Sequence, residues 1–100
     1  MHADLGTEHV LVDAATSRPV GLIDFEDATI GDPAIDFVGC YADLGPAGTA
    51  EVIAAYGPVD MNRVRDYWWL GSLQAILHGV HVEDADITEA GIDGLRASLP

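Results

Sequence analysis

Three short motifs within the first 36 residues contain the side chains best suited to chemistry. In chain order they read HADLGTEH at 2–9, LIDFED at 22–27 and GDPAID at 31–36. Asp4, on a loop, can accept a hydrogen bond from a hydroxyl group and orient it. Asp24, at the end of an apolar run, offers the hard carboxylate oxygens that magnesium prefers. The pattern indicates a site that orients a hydroxyl beside a bound divalent cation.

The elements that must position these carboxylates are predicted to be two short strands. Apolar and β-branched residues dominate 9–13 and 19–24, and small and polar residues separate the two runs. Such a pattern is typical of a β-hairpin. Asp4 then lies just before the first strand and Asp24 at the end of the second, so the hairpin holds both acids.

The remainder of the chain, residues 33–100, is predicted to be helical. Asp32 before Pro33 is typical of an N-cap followed by the first residue of a helix, which Gly45-Pro46 ends. Further helices are expected near 47–56, from about 61 to 81 and near 87–99. The helix at 61–81 has apolar residues on more than one face, which predicts a buried central helix. The fold class is therefore α+β, with an N-terminal hairpin packed on a helical bundle.

Composition excludes several classes of function. The net charge is −13, with four arginines and no lysine. A nucleic-acid binder needs a basic stripe, and anionic membrane surfaces also attract basic proteins, so neither partner is expected. Cys40 is the only cysteine, which excludes an intrachain disulfide and a cysteine-based zinc site. No apolar run is long enough to span a bilayer, and a cytoplasmic setting is expected.

The order and spacing of the three motifs resemble the aminoglycoside phosphotransferase family, which has the protein-kinase-like fold. The resemblance is close over residues 1 to about 40. It implies one partial domain over 1–100, similar to the C-terminal lobe of that fold. The catalytic loop and metal-binding hairpin would occupy 1–32, and the helical part 33–100. It also implies that a γ-phosphate passes from ATP, with Mg²⁺, to a hydroxyl of a small molecule, as in kinases that confer antibiotic resistance.

The same resemblance assigns roles to individual residues. It makes Asp4 the catalytic residue and Asp24 a magnesium ligand. His9 stands where most members have an asparagine that helps to hold a second magnesium ion, and an imidazole suits magnesium less well than an oxygen does. His9 is therefore either a metal ligand or a hydrogen-bonding bridge between loop and hairpin. Structural support is expected from His2, Asp32 and Asp36. From their position just after Asp24, Glu26 and Asp27 are expected either to lie in a solvated loop or to add negative potential for a cationic substrate.

The groups that hold a nucleotide in such enzymes are not found in the sequence. There is no lysine to pair with the phosphates and no Gly-x-Gly-x-x-Gly loop. We expect the N-terminal nucleotide lobe to be absent and a separate lobe or a second chain to supply its contacts. Three functions stay open: the catalytic half of a small-molecule kinase, an inactive acidic lobe that binds a metal or cation, and a module that pairs with another protein. Aminoglycosides, macrolides and amino alcohols all remain candidate acceptors.

Overall fold

The computed structural model describes residues 1–98 and contains a β-hairpin followed by helices. Strand β1 spans Val10–Val12 and β2 spans Pro19–Leu22, while the helices are α1 at Asp36–Tyr56, α2 at Met61–His81 and α3 at Ala85–Ser98. Short 3-10 turns precede β1 and α1, at Thr7–His9 and Pro33–Ile35. This architecture confirms the predicted α+β class. Contacts divide the chain into two compact units, one from Met1 to Asp60 and a second that begins at Met61.

The hairpin pairs two short antiparallel strands. Val10 lies opposite Leu22, and the register shifts between Leu11 and Val12. The carboxylate of Asp13 accepts the backbone N–H groups two and three residues further along, at 2.8 and 3.0 Å. Both hydrogen bonds lower the pKa of Asp13, and the bond from the Thr16 amide lowers it more than the bond from the Ala15 amide. The strands are shorter than predicted, since His9 belongs to the preceding 3-10 turn, Asp13 lies outside β1, and β2 ends at Leu22.

Six apolar side chains of the hairpin and of the residues just after it are exposed, whereas Val10 is half-buried. Their exposed fractions run from 43% at Ile23 to 66% at Val20. An isolated two-stranded hairpin is marginally stable in water, so contacts with the preceding loop matter. One such contact is the hydrogen bond from the Ile23 amide to the His9 carbonyl, at 3.0 Å. The exposed set consists of Leu11, Val12, Val20, Leu22, Ile23 and Phe25.

The helical segment begins at Pro33 as predicted, but as a 3-10 turn, so that α1 itself begins at Asp36. The helix is kinked where the sequence predicts an end. Asp32 accepts the amide of Ala34 at 3.0 Å, with proline at the first position of the 3-10 turn. Gly45 has φ of 70° and ψ of −177°, which interrupts the helix for a single residue. The predicted helices at 33–44 and 47–56 are therefore the two halves of one kinked element. Phe37 is buried and its ring meets that of Tyr56 edge to face, with centroids 5.3 Å apart.

Helices α2 and α3 approach each other closely, and glycines make this possible. A Cβ atom on Gly91 would lie 2.9 Å from the carbonyl oxygen of Ser72. About one helical turn away, Nε1 of Trp68 donates to the carbonyl of Gly94 at 2.9 Å. Gly91 and Gly94 have low helix propensity, but their small size permits this close helix packing.

The prediction that α2 is a buried central helix is wrong for the described structure. Three of its residues are buried, Val64, Ser72 and Gly79. By contrast, Leu77 is 70% and Val80 63% exposed. Within its unit a single helix, α3, packs against α2, so one face is covered and other apolar positions are not. None of the helices between residues 1 and 98 is both long and apolar enough to cross a membrane.

Candidate metal centre

Asp4, His9 and Asp24 come together at one end of the hairpin. One possible ligand atom from each residue lies within 4.8 Å of the other two. Both carboxylates are exposed and the imidazole is half-buried. Within residues 1–98 this is the one cluster of three acidic, histidine or cysteine side chains with such geometry. The structure therefore assembles the three residues that the sequence assigns to catalysis and metal binding.

His9 is oriented by hydrogen bonding on one ring nitrogen, which leaves the other facing Asp24. Its Nδ1 atom lies 2.8 Å from the Asp4 carbonyl oxygen, so Nδ1 carries the proton and donates it. Its Nε2 atom lies 3.3 Å from a carboxylate oxygen of Asp24. The pKa of His9 is raised above its ordinary value. The hydrogen bond to the Asp4 carbonyl is the largest cause, desolvation opposes it and comes next in size, and the charges of Glu8, Asp24 and Asp4 raise the pKa further. Nε2 can therefore bind a cation or, when protonated, pair with Asp24.

His2 connects the loop to the end of strand β2. Its side chain is buried, and Nε2 lies 2.8 Å from the carbonyl oxygen of Ile23, next to Asp24. Its Nδ1 accepts the amide of Asp4 at 3.2 Å, so the proton is on Nε2. The ring also lies 4.6 Å from that of Phe25 and 5.7 Å from that of His9. His2 therefore fixes the separation of the two carboxylates without belonging to the metal-binding cluster.

The backbone adopts an unfavourable conformation on both sides of the site. Ala3 has φ of 72° and Asp24 has φ of 63°. This left-handed region costs a residue with a Cβ about 1–2 kcal/mol relative to the right-handed one. Such conformations persist where the surrounding contacts enforce them. The directions of the Asp4 and Asp24 side chains therefore depend on contacts that hold the loop and the strand end in place.

Those contacts come from the first half of helix α1. Asp36 accepts the amide of His2 at 2.9 Å and that of Ala3 at 2.7 Å, one on each carboxylate oxygen. Seven residues further along, Asp43 accepts the amide and the hydroxyl of Thr7, at 3.0 and 2.8 Å. The loop is thus bound to α1 before and after Asp4.

Sequence reasoning identified Asp36 but missed Asp43 and Gly39. A Cβ atom on Gly39 would overlap the carbonyl oxygen of Leu5, so the loop backbone lies directly on the helix at that point. Residues 36, 39 and 43 are spaced by three and four and share one helix face. Two acids on one face with a glycine between them is a signal that was present in the sequence.

The remaining predicted site residues lie outside the cluster. Glu26 and Asp27 are exposed and follow Asp24 in a turn that the Ala28 amide closes on the Phe25 carbonyl, at 2.9 Å. Neither belongs to the group that could hold a metal. Asp32 caps the 3-10 turn before α1, as described above. The structure therefore assembles only part of the predicted set at one point.

A cavity of about 290 Å³ lies beside α1 in the first unit, and its lining includes Leu5, Asp36, Phe37 and Cys40. None of the three cluster residues lines it. The pKa of the Cys40 thiol is raised, first by burial and then by the negative charge of Asp43. This thiol is therefore not activated as a nucleophile.

The donor set of the cluster fits a divalent cation. Two carboxylates supply hard oxygens, which suit magnesium, whereas an imidazole nitrogen suits later transition metals better. His9 has the arrangement common among ligating histidines, with its other nitrogen bonded to a backbone carbonyl. The cluster can hold a cation through Asp24 and His9, next to the exposed carboxylate of Asp4.

Comparison with known proteins gives two findings. Residues 1–67 match the family described as "Phosphotransferase enzyme family". A relative, the uncharacterized protein YcbJ of Bacillus subtilis (strain 168), is 38% identical over 56 residues. That alignment covers 56% of this chain and 18% of the relative, so the chain spans less than a fifth of that relative's length. The family match includes the loop, the hairpin and all of α1.

Proposed function

The chain belongs to the phosphotransferase enzyme family, and on that premise we propose that it is the catalytic, metal-binding half of an ATP-dependent kinase of small molecules. It would correspond to the C-terminal lobe of the kinase-like fold. The observation that carries the proposal is the Asp4–His9–Asp24 cluster, which lies within the residues that match the family. The transferred group would be the γ-phosphate of ATP and the acceptor a hydroxyl.

Asp4 is proposed as the catalytic residue. Its carboxylate is exposed and can be reached by a bound acceptor, while its backbone is fixed by the contact from its amide to His2. Phosphoryl transfer depends mostly on positioning and charge stabilisation. A fixed carboxylate that accepts the hydrogen bond of a hydroxyl holds that oxygen in line for attack on the phosphate.

Asp24 and His9 are proposed to hold the metal ion, with Asp4 near it. Mg²⁺ bound there would offset the negative charge of the transferring phosphate. The contribution of the chain itself is orientation. The Asp4 carbonyl holds the His9 ring so that Nε2 faces Asp24, and His2 holds the strand end from which Asp24 extends.

We propose that the acceptor is a hydroxylated molecule with positive charge, such as an aminoglycoside or an amino alcohol. The chain has a net charge of −13, and such a field attracts cations. Glu26 and Asp27 are exposed just after the metal-binding aspartate and would face a cationic group with two further negative charges.

A nucleotide-binding lobe, on this polypeptide or another, is proposed to cover the hairpin. No lysine is present among the 100 residues to pair with the phosphates. The apolar residues of the hairpin, from Leu11 to Phe25, are about half exposed. Exposed apolar groups on neighbouring positions are typical of a surface that another domain covers.

The experiment is transfer of labelled γ-phosphate from ATP, with Mg²⁺, to a panel of aminoglycosides, macrolides and small amino alcohols. The nucleotide-binding lobe of a complete family member is added as a second chain, because this chain has no lysine to pair with the phosphates. Asp4→Asn and Asp24→Asn are each expected to abolish transfer, because one removes the orienting carboxylate charge and the other a metal ligand. Asp66→Asn is the matched control, since Asp66 is exposed on α2 and outside the cluster. It should retain wild-type transfer.

Two outcomes would overturn parts of the proposal. Transfer that persists in Asp4→Asn would exclude Asp4 as the catalytic residue. A folded wild-type protein that transfers phosphate to no acceptor, yet binds Mn²⁺ through Asp24, would contradict the kinase and favour a cation-binding module. Mn²⁺ binding is read from paramagnetic broadening of the NMR signals of the cluster residues.

A further inference from the structure

The turn that ends in His9 lacks a cap of its own. This 3-10 turn spans Thr7–His9 and is preceded by Gly6, which has no side chain to accept a hydrogen bond. The first amides of any helical turn have no partner within the turn. Here the His9 amide bonds back to the Gly6 carbonyl at 3.1 Å, and the first amide, that of Thr7, is left for a partner elsewhere.

Asp43 of α1 is that partner. One carboxylate oxygen accepts both the Thr7 amide, at 3.0 Å, and the Thr7 hydroxyl, at 2.8 Å. Hydrogen bonds to an ionised carboxylate are roughly twice as strong as those between neutral groups. The two Thr7 donors hold the pKa of Asp43 below its ordinary value, so the carboxylate is ionised at neutral pH. A residue 36 positions away thus caps the turn with a charged group.

The contact acts together with two others on the same face of α1. Asp36 fixes the start of the loop, through the amides of His2 and Ala3. Gly39 lets the Leu5 carbonyl lie on the helix midway. Asp4 lies between the first two attachments, whereas His9 lies beyond the last one. Without Asp43, the loop would still be fixed on both sides of Asp4, by Asp36 and at Gly39, but the Thr7–His9 turn would lose its attachment to α1.

We propose that Asp43 is a positioning residue of the phosphotransfer site. It fixes the Thr7–His9 turn so that the His9 ring stays between the Asp4 carbonyl and the Asp24 carboxylate. This inference rests on the proposed function for its effect on catalysis, and on the contact itself for its effect on the loop. A displacement of about 1 Å at a reacting group can lower a rate by about a hundred-fold, so loss of this contact should be visible in kcat.

The test compares Asp43→Ala with Glu51→Gln, a matched control on an exposed position of the same helix. Hydrogen exchange of the Thr7 amide is measured first, because it needs no substrate. We expect exchange about ten-fold faster in Asp43→Ala and unchanged in Glu51→Gln. Asp43→Asn, which keeps one acceptor oxygen, should give an intermediate rate. Exchange in Asp43→Ala equal to wild type would overturn the proposal.

Steady-state phosphotransfer is measured next. We expect kcat to fall about ten-fold in Asp43→Ala while KM for the acceptor changes less than about two-fold, since positioning acts on the transition state. Thr7→Ser, which keeps both donors, should retain wild-type kcat, whereas Thr7→Val should lose part of it. In Asp43→Ala, adding Thr7→Val should cause no further loss, because the shared contact is already gone. A rise in KM for the acceptor in Asp43→Ala, with kcat unchanged, would overturn the positioning role.

Failure of the proposed function is distinguishable from failure of this inference. If the wild-type protein transfers no phosphate even with the nucleotide-binding lobe supplied, the proposed function fails, and amide exchange alone decides whether Asp43 fixes the turn. Far-UV circular dichroism shows whether each variant is folded. Since Asp43 is exposed, its replacement should leave the helices intact.

Discussion

The Nε2 atom of His9 lies 3.3 Å from a carboxylate oxygen of Asp24, while its Nδ1 is held by the Asp4 carbonyl. The Nε2 atom of a histidine held in this way can bind either a proton or a metal ion. Which partner it takes depends on pH and on the cation present. The predictions below follow from this contact and from the loop that supports it.

The first prediction concerns the choice of metal ion. His9→Asn replaces a nitrogen ligand with an oxygen, so the preference for Co²⁺ over Mg²⁺ should fall, by about ten-fold in the ratio of the two affinities. Isothermal titration calorimetry with each cation measures this ratio. Asp24→Asn is the comparison variant and should weaken both cations together. An unchanged ratio in His9→Asn would show that His9 is a bridge and not a ligand.

The second prediction concerns the titration of His9 in the metal-free protein. Its pKa in the folded state should exceed 6.5, the value for an unperturbed histidine. Protonated His9 then stabilises the fold below pH 6.5, and this contribution is lost as the pH rises through the folded-state pKa. NMR titration of the ring measures the pKa, and urea unfolding of His9→Gln should lack this pH dependence.

Asp24→Asn separates the causes of that shift. The largest cause is the hydrogen bond to the Asp4 carbonyl, and the charge of Asp24 is a smaller one. The variant should therefore lower the pKa of His9 only part of the way. A return to 6.5 or below would mean that the Asp24 charge, and not the backbone carbonyl, dominates.

The third prediction concerns backbone strain before Asp4, the proposed catalytic residue. Ala3 has φ of 72°, a conformation that glycine adopts without a steric penalty. Ala3→Gly should stabilise the protein by about 0.5–1 kcal/mol, measured by urea unfolding. Ala54→Gly, at an exposed position within α1, is the matched control and should destabilise it by about 1 kcal/mol. Destabilisation by both substitutions would contradict the assigned strain.

The fourth prediction concerns the close approach of the loop to α1. Gly39→Ala should destabilise the protein by about 1–3 kcal/mol and reduce phosphotransfer, because the added methyl group would overlap the Leu5 carbonyl. Gly71→Ala is the matched control, since a Cβ atom there meets no other atom within 4 Å. It should stabilise the protein by roughly 0.5–1 kcal/mol through helix propensity. Thermal unfolding followed by circular dichroism compares the two.

Local signals in the sequence predict most of the elements. The alternation of apolar runs and small residues gives the hairpin, and Asp32-Pro33 gives the start of the helical part. The Gly45-Pro46 pair predicts a break, which exists as a kink at Gly45. These features depend on residues within a few positions of one another, so they can be derived without knowledge of the packing. The exposure of Leu77 and Val80 on α2 could not be derived from the sequence. An apolar face of a helix does not reveal whether another element covers it.

The sequence by itself predicted which side chains form the candidate site, since Asp4, His9 and Asp24 are recognisable from their types and spacing, and the structure brings these three together. Only the tertiary structure decided how they are held. Asp43 and Thr7 are 36 residues apart, and their contact exists because α1 lies against the loop at Gly39. The periodicity of a helix places Asp36, Gly39 and Asp43 on one face. It does not say what that face meets, because this depends on the packing of the whole unit.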